Sequence, residues 1–442
     1  MHFAVITRVL GMLLMIFSLT MLTPIFVGWM FDEKTASTFL SAFSITLIVG
    51  MAFYLPSRNS AGELRTRDGF IVTVFFWLVL STFGALPLML AEALQLSFMD
   101  ALFESVSGLT TTGATVISGL DDLPKSILYY RQQLQWLGGI GIVVIAVAIL
   151  PMLGVGGMQI YRAETPGPVK DSKLTPRITE TANVLFRIYL ALTAACALAY
   201  WAAGMSGFDA IGHSFSTVAI GGFSTHDASM GFFDSGLIMS ICIFFMIISG
   251  LNFALHYMVW HNRRLSFYWQ DPEARMYLYL LFIGIVITCL YLYYSGTYNW
   301  NDSISQGTFQ LVSIMTTTGF ATTEFNAWPT FLPFFLLFLS FFGACAGSTG
   351  GGIKIGRMLI LGKQGIREIY RLVHPNAILP IKLNNRQIPE RITDAIWAFV
   401  GVYLAIFYLM VLLLLASGLD YVTAWSATAA ALNNLGPGLG AV

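Results

Sequence analysis

The sequence predicts an all-α, polytopic membrane protein with four similar repeats, each a helix, a short loop and a second helix, preceded by two extra helices. Its 442 residues are 56% hydrophobic and only 10% charged, against about 45–50% and about 25% in soluble domains. Apolar runs of about 20 residues, the length that a helix needs to cross a bilayer, recur along the chain. Four short glycine-containing loops follow shorter apolar segments between these runs.

The long apolar runs predict about nine membrane spans. They lie near residues 5–30, 36–55, 70–92, 134–157, 182–204, 233–258, 274–295, 328–346 and 393–417. The first run is too long for the apolar region of a signal peptide, so we interpret it as a membrane helix. The first two spans form a two-helix prefix over residues 1–58, because the turn between them is too short for a further helix.

Four shorter segments lie between the spans, at residues 98–107, 208–217, 304–315 and 421–431. At roughly 10–14 residues they are too short to span a membrane, and they are too apolar for solvent-exposed loops. We therefore expect re-entrant half-helices. Each is followed by a polar loop: loop 1 (110–115), loop 2 (220–225), loop 3 (316–322) and loop 4 (433–438).

The four loops align on their central glycines, which are Gly113, Gly222, Gly319 and Gly436. Successive glycines are 109, 97 and 117 residues apart, the differences 222−113, 319−222 and 436−319. Thirteen positions before each glycine stand Asp100, Asp209, Gln306 and Thr423, and six before it Ser107, Ser216, Ser313 and Ala430. A repeat of about one hundred residues therefore contains a span, a half-helix, a loop and a second span.

These boundaries predict pore repeats at residues 65–165, 178–265, 272–362 and 392–442, with a cytoplasmic connection at 363–391. The fourth repeat is incomplete, because the chain ends at Val442, six residues past Gly436. We expect either a fragment or a truncated protein that lacks the last membrane helix.

Basic residues predict the orientation of the chain. Nearly all of the 23 Lys and Arg residues fall in or beside alternate connections, and the exceptions are Lys34, Lys125 and Arg131. By the positive-inside rule the basic connections face the cytoplasm and all four glycine loops face outward. The formal net charge is zero, so no basic field indicates a nucleic-acid partner.

The loops have the chemistry of an ion pore. A permeating cation exchanges its water shell for oxygen ligands, which rings of backbone carbonyls supply. Glycine tolerates the backbone conformations that turn carbonyls inward, and the half-helices would aim their negative C-terminal ends at the ion. A single Thr-Thr-Thr-Gly is more simply an ordinary external turn. Four copies at matched offsets indicate one cation pore surrounded by four repeats.

The residues of loops 1 to 4, with His226-Asp227-Ala228 after loop 2 and Pro437-Gly438 in loop 4, resemble the TrkH/KtrB family of potassium transporters, most closely its TrkH branch. The resemblance covers nearly the whole chain and implies potassium uptake across a bacterial inner membrane. It implies a filter whose backbone carbonyls alone bind potassium, lined by Thr111, Thr112, Gly113, Ile220, Gly221, Gly222, Thr317, Thr318, Gly319, Asn434, Leu435 and Gly436.

The same resemblance implies a TrkA-type regulatory partner that binds NAD and ATP. No nucleotide motif is present in this sequence, so we expect no directly bound cofactor, with the potassium ion as substrate. We also expect a homodimer in a lipid bilayer. The connection 363–391, with Arg367, Arg371 and His374, is a candidate docking face for the partner.

A second glycine-rich stretch, residues 343–352, interrupts the second span of the third repeat, and we call it the intramembrane loop. Its candidate gate residues are Gly343, Gly347, Ser348, Thr349, Gly350, Gly351 and Gly352. Each glycine disfavours a helix by about 1 kcal/mol relative to alanine, so we expect the chain to unwind there. Close helix packing through small residues is the alternative. Lys354 and Arg357 follow as candidate gate or partner contacts, or as interfacial cations that extend toward water.

Other signals are weaker. The four cysteines lie in apolar runs and are expected to be buried, without a redox or metal role, and the histidines share no metal-ligand spacing. Gly138-Gly139-Ile140-Gly141 predicts helix packing or a kink. Asp100, Glu104 and Asp209 either attract cations or cap the half-helices. Two alternatives remain: an ion-coupled secondary transporter, which needs paired broken helices where only one is evident, and a membrane sensor or enzyme.

Overall fold

The computed structural model describes residues 3–60, 66–149, 178–377, 379–383 and 386–441, which are predominantly helical. The prefix and first repeat contain α1 (Phe3–Thr20), α2 (Thr23–Met30), α3 (Ala36–Ser57), α4 (Thr66–Gly84), α5 (Leu86–Leu90), α6 (Phe98–Leu109) and α7 (Lys125–Ile149). The second repeat contains α8 (Ile178–Ala202), α9 (Gly207–Ala219), α10 (Gly236–Ser249) and α11 (Phe253–Asn262), followed by the short α12 (Ser266–Gln270).

The third repeat contains α13 (Pro272–Tyr294), α14 (Trp300–Met315), α15 (Phe331–Phe342) and α16 (Ile355–Val373). A two-residue antiparallel hairpin, β1 (Lys382–Leu383) and β2 (Arg386–Gln387), lies in the connection. The fourth repeat contains α17 (Glu390–Ala416) and α18 (Tyr421–Asn433). Short 3-10 turns lie at Leu120–Asp122, Ser229–Phe233 and Phe325–Ala327.

The described residues form two compact units, unit 1 up to residue 245 and unit 2 from residue 246 onward. In unit 1 the two-helix prefix shares a core with the first repeat, through buried side chains such as Leu14, Phe39 and Tyr130. Helices α1 and α3 can approach closely because Gly11 has no side chain. A Cβ at this position would lie only 2.7 Å from the carbonyl oxygen of Gly50. Unit 2 has a smaller core between α17 and α18. All four cysteines are free and buried, as predicted.

The prediction of about nine spans is only partly met. Among the described residues six helices are long and apolar enough to cross a membrane, or seven if the bent pair α10 and α11 is one span. Helix α15 has only 12 residues. The predicted span 134–157 begins earlier, at Lys125, because polar residues in its first turns hid its start; its part from residue 150 onward lies outside the described residues.

The second helix is broken in three repeats, so the expectation of a single broken span was wrong. In α7 the break is at Gly141, whose φ of 39° and ψ of −148° are not helical. Helices α10 and α11 bend by 95°, and Asn252 starts the new helix by accepting a hydrogen bond from the Ala254 amide. The third break is the intramembrane loop, between α15 and α16. A lone glycine at position 250 carries too little signal to predict the second break.

Candidate functional site

The half-helices α6, α9, α14 and α18 share one type of N-terminus. Each begins after a residue whose side chain accepts a hydrogen bond from a backbone amide three positions on, as N-cap residues do. These caps are Ser97, Ser206, Asn299 and Asp420. Asp100 and Asp209 are therefore not the caps. Their carboxylates accept hydrogen bonds from the cap hydroxyls of Ser97 and Ser206, both at 2.7 Å.

Each glycine loop leaves its half-helix through the same backbone hydrogen bond. In every loop the amide of the residue directly before the aligned glycine donates to the backbone carbonyl six positions before that glycine, over 2.8 Å. The pairs are Thr112 with Ser107, Gly221 with Ser216, Thr318 with Ser313 and Leu435 with Ala430. Since the acceptor is a backbone oxygen, the alanine in the fourth repeat serves as well as the serines.

The residue two positions before each glycine adopts a left-handed backbone. Its φ is 62° at Thr111, 55° at Ile220, 67° at Thr317 and 62° at Asn434. β-branched residues rarely take this conformation, and strain of this kind concentrates at functional sites. The same unusual conformation therefore occurs at one aligned position in all four loops, three times on a β-branched residue.

The glycines continue this pattern in three loops, with φ of 85° at Gly113, 81° at Gly222 and 87° at Gly319. Left-handed residues alternating with ordinary ones turn successive carbonyls toward one side of the loop, whereas an ordinary extended strand alternates them. Gly436 is not among the described positive-φ residues. Pro437 follows it, and the residue before a proline is biased toward extended backbone.

In unit 1, loops 1 and 2 lie against each other. A Cβ on Gly113 would lie 2.0 Å from the carbonyl oxygen of Gly221, so only glycine fits there. Gln135 of α7 holds loop 2 from behind: its Nε2 donates to the Gly221 oxygen over 2.6 Å and its Oε1 accepts from the Phe223 amide over 3.0 Å. The Gly221 carbonyl is thus paired with a side chain in this conformation.

In unit 2, loops 3 and 4 are also neighbours. A Cβ on Gly319 would lie 2.8 Å from Cδ of Pro437. Loop 3 is braced internally, because Ser313 Oγ donates to the Phe320 carbonyl over 2.6 Å and the hydroxyls of Thr316 and Thr318 are 2.7 Å apart. Thr317, Thr318 and Leu435 are fully buried. The twelve predicted lining residues therefore lie in two pairs of loops. Loops 1 and 2 are neighbours in unit 1, and loops 3 and 4 are neighbours in unit 2.

The chain leaving each loop is tied back to its own half-helix. Thr225 donates to Asp209 over 2.7 Å and Thr322 donates to Gln306 over 2.5 Å. In the fourth repeat the Ala441 amide donates to Thr423 over 3.2 Å. These partners explain the aligned position thirteen residues before the glycine. The first repeat departs from the pattern, since Thr115 donates to Glu104 at 3.0 Å and not to Asp100.

The intramembrane loop contacts loop 3 and the start of loop 4. The Gly351 amide donates to Thr317 Oγ1 over 2.7 Å, and the Gly352 amide donates to the carbonyl of Asn433 over 2.9 Å. A Cβ on Gly351 would lie 2.0 Å from that same Asn433 oxygen. Gly343, with φ of 63°, packs against Gly352. Gly351 is therefore required for the close approach of the intramembrane loop to the start of loop 4.

One carboxylate ties the intramembrane loop to the start of α16. Glu273 Oε1, on the first turn of α13, accepts hydrogen bonds from the Ala346 amide at 2.5 Å and the Gly356 amide at 2.9 Å. The middle of the loop meets the break between α10 and α11, where the Phe253 amide donates to the Gly347 carbonyl over 3.0 Å. The broken helix of the second repeat thus supports the interruption in the third.

The two cations after the loop have different surroundings. Lys354, with φ of 81°, donates from Nζ to the Gly350 carbonyl within the loop. Arg357 places its guanidinium over the ring of Phe399, 4.3 Å from the centroid, and Nη1 donates to the Ile353 carbonyl. Lys354 therefore bonds back to the intramembrane loop, whereas Arg357 connects α16 to α17.

Comparisons with known proteins show the family of this chain. A family model described as "TrkH: Cation transport protein" matches residues 35–442. The chain belongs to the TrkH family. The Trk system potassium uptake protein TrkH of Halomonas elongata is 55% identical over 440 residues, covering 100% of this chain and 91% of that protein. The TrkH protein of Escherichia coli is 53% identical over 443 residues, covering 100% and 92%.

The crystal structure of the potassium transporter TrkH from Vibrio parahaemolyticus matches with a TM-score of 0.91 at 50% identity, covering 100% of this chain and 92% of that one. The predicted resemblance, the all-α membrane fold and the prediction of a transporter without enzymatic activity are therefore confirmed. The chain is a multi-pass membrane protein of a cation transport family.

Sequence reasoning missed Arg131 and Gln135, which both contact the loops from α7. The predicted span began at residue 134, so Arg131 counted only as a charge in an external connection. Four polar residues, at positions 131, 132, 133 and 135, interrupt an otherwise apolar stretch. Polar and ionisable residues within a membrane helix usually mark function, and that signal was available.

Proposed function

We propose that this protein takes up potassium across the bacterial inner membrane through one pore lined by loops 1 to 4. Basic connections face the cytoplasm and the glycine loops face outward. The observation that carries the proposal is the left-handed residue found two positions before each loop glycine, held by the same backbone hydrogen bond in all four repeats. A conformation this costly for threonine and isoleucine indicates a shared requirement for carbonyl placement.

Carbonyl rings of this kind replace the water shell of a cation. Each loop begins at the C-terminal end of a half-helix, where the helix dipole places partial negative charge that favours cations. The hydroxyls of Thr111, Thr112, Thr317 and Thr318 stand beside the carbonyls in loops 1 and 3. Potassium is thus the substrate, bound through filter carbonyls alone, and no cofactor is bound directly.

Only one glycine position is shared by all four loops, and the Gly221 carbonyl is engaged by Gln135, so fewer complete rings of ligands are available than in a filter with two shared glycines per loop. Discrimination between potassium and sodium should therefore be weaker than in such a filter. Similar permeation of sodium and potassium would remove potassium from the proposal.

The intramembrane loop is the gate in this proposal. Its support is the hydrogen bond from the Gly351 amide to Thr317, a predicted lining residue, together with the contact of Gly352 with Asn433. A loop bonded directly to filter residues obstructs the path that those residues line. Lys354 adds a positive charge that is bonded to the Gly350 carbonyl of this loop, and this charge opposes the entry of a cation.

Regulation is proposed to come from a TrkA-type ring that binds NAD and ATP and docks on the connection 363–391, with the transporter acting as a homodimer. Helix α16 suits a docking role, because Ile369, Leu372 and Val373 are exposed on it beside the basic Arg371. An exposed apolar face rimmed by charge is typical of an interaction surface.

An ion-coupled secondary transporter is the alternative. The second helix is broken in three repeats, so the paired broken helices that a secondary transporter needs are present. The four-fold loop conformation still favours a pore, because a secondary transporter has no need of four equivalent strained loops.

Rubidium uptake into proteoliposomes tests the function. We expect uptake down a rubidium gradient without any coupled ion, with stronger competition from potassium than from sodium. Uptake that requires a proton or sodium gradient would support the alternative.

A further inference from the structure

A buried ion pair lies behind loops 1 and 2. Arg131 of α7 and Glu104 of α6 are 1% and 0% exposed, and Arg131 Nε donates to Glu104 Oε1 over 2.7 Å. Among the ion pairs of the described residues it is the most deeply buried. Burying two charges is costly, and the cost is offset only by good geometry and further hydrogen bonds. A pair retained in such a place therefore invites a functional explanation.

The Nη1 and Nη2 atoms of Arg131 donate hydrogen bonds to residues at the ends of loops 1 and 2. Nη2 donates to Thr115 Oγ1 over 3.0 Å, two residues after Gly113, and Nη1 donates to the Ser224 carbonyl over 3.4 Å. The Phe223 ring lies beneath the guanidinium, with Cζ 4.3 Å from its centroid. One planar group thus bridges corresponding positions of two adjacent loops.

In the second and third repeats the residue three positions after the glycine is tied to its own half-helix, through Thr225 and Asp209 or through Thr322 and Gln306. The first repeat is different because Glu104 both accepts from Thr115 and neutralises Arg131. An unneutralised cation here would repel permeating ions. The pair therefore supplies a rigid bridge between loops without adding net positive charge behind them.

We propose that Arg131 is a positioning residue for ion discrimination: paired with Glu104, it fixes the spacing between the outer ends of loops 1 and 2. The inference rests on the proposed potassium pore. Discrimination requires carbonyls held at defined positions, and a guanidinium fork fixes several acceptors at once, which a single ammonium cannot do.

Three variants test the bridge. Arg131→Lys keeps the charge that pairs with Glu104 but loses the fork, and Thr115→Val removes the bridged hydroxyl while keeping its shape. Gln133→Met is the matched control, since Gln133 is a buried polar residue of α7 whose Nε2 donates to the Thr20 carbonyl, away from the loops. Each protein is checked by size-exclusion chromatography and thermal unfolding, then reconstituted for rubidium uptake with potassium or sodium as competitor.

For Arg131→Lys and Thr115→Val we expect the preference for potassium over sodium to fall by about threefold to tenfold. Maximal rubidium uptake should change much less, and Gln133→Met should keep the wild-type preference. If Arg131→Lys fails to fold, Thr115→Val decides alone.

A wild-type preference in Thr115→Val, and in Arg131→Lys where it folds, would refute the bridge. An equal loss of preference in Gln133→Met would show general destabilisation and would also refute it. If the wild-type protein itself shows no preference for potassium, the proposed function fails together with the inference. The wild-type measurement therefore separates the two failures.

Discussion

Replacing Gly113 by alanine tests whether loop geometry controls conduction. Its φ is 85°, and an added Cβ would lie 2.0 Å from the Gly221 carbonyl oxygen. Cβ atoms essentially never approach other heavy atoms within 3.0 Å, so one of the two loops must move by about 1 Å. The left-handed backbone adds about 1–2 kcal/mol of strain for any residue with a Cβ.

Gly204 provides a matched control in the turn between α8 and α9. Its φ of 106° imposes a comparable conformational penalty on alanine, but no heavy atom lies within 4 Å of the added Cβ. Both variants should therefore lose stability by about 1–2 kcal/mol, and only Gly113→Ala should displace filter carbonyls.

The assay combines thermal unfolding of the purified proteins with rubidium uptake into proteoliposomes. We expect Gly204→Ala to conduct with wild-type ion preference and Gly113→Ala to lose uptake or its preference for potassium. Wild-type uptake and preference in a folded Gly113→Ala protein would refute the reasoning, because the carbonyl of loop 2 would then not matter for conduction.

Three further predictions concern the gate and the external connection. Shortening the intramembrane loop within residues 347–352 should raise rubidium flux, and unchanged or lower flux in a folded variant would argue against a gate. Glu273→Gln, which weakens the charge-assisted hydrogen bonds to Ala346 in that loop and to Gly356 of α16, should raise basal flux by about threefold to tenfold. Burial acts to lower the pKa of His226, but hydrogen bonds with Asp209 and Asp121 outweigh it and raise that pKa above its ordinary 6.5. Protonated His226 therefore stabilises the fold at low pH, and this stabilisation is lost as the pH rises through the raised pKa. His226→Gln should remove the part of the thermal stability that falls as the pH rises above about 6.5, and an unchanged dependence of thermal stability on pH would contradict the assignment.

The repeats and loops were predictable because they depend on local chemistry. A mostly apolar segment of about ten to fourteen residues, followed by a glycine-containing loop, can be recognised in one sequence. Aligning four such segments distinguishes these loops from ordinary turns. The matched position six residues before the glycine proved to mark a backbone hydrogen bond, made equally by Ser107 and Ala430. The left-handed conformation of Thr111 and Ile220 could not be predicted, since neither residue type favours it.

Contacts between distant segments were the part that the sequence could not supply. Arg131 meets Ser224 across 93 residues, and Gly351 meets Thr317 across 34. The break before Asn252 was missed for a related reason, because its support includes the distant Gly347 carbonyl. Contacts of this kind depend on how the helices pack. No local sequence pattern at those positions predicts them.

The central proposal is that all four loops line one pore, and two single variants test it most directly. Gly113→Ala alters a loop of unit 1, and Gly319→Ala alters a loop of unit 2, where the added Cβ would meet Pro437 at 2.8 Å. If one pore uses all four loops, each variant alone should abolish selective rubidium uptake. If each unit conducted by itself, each variant would leave roughly half of the wild-type uptake, and that result would contradict the account.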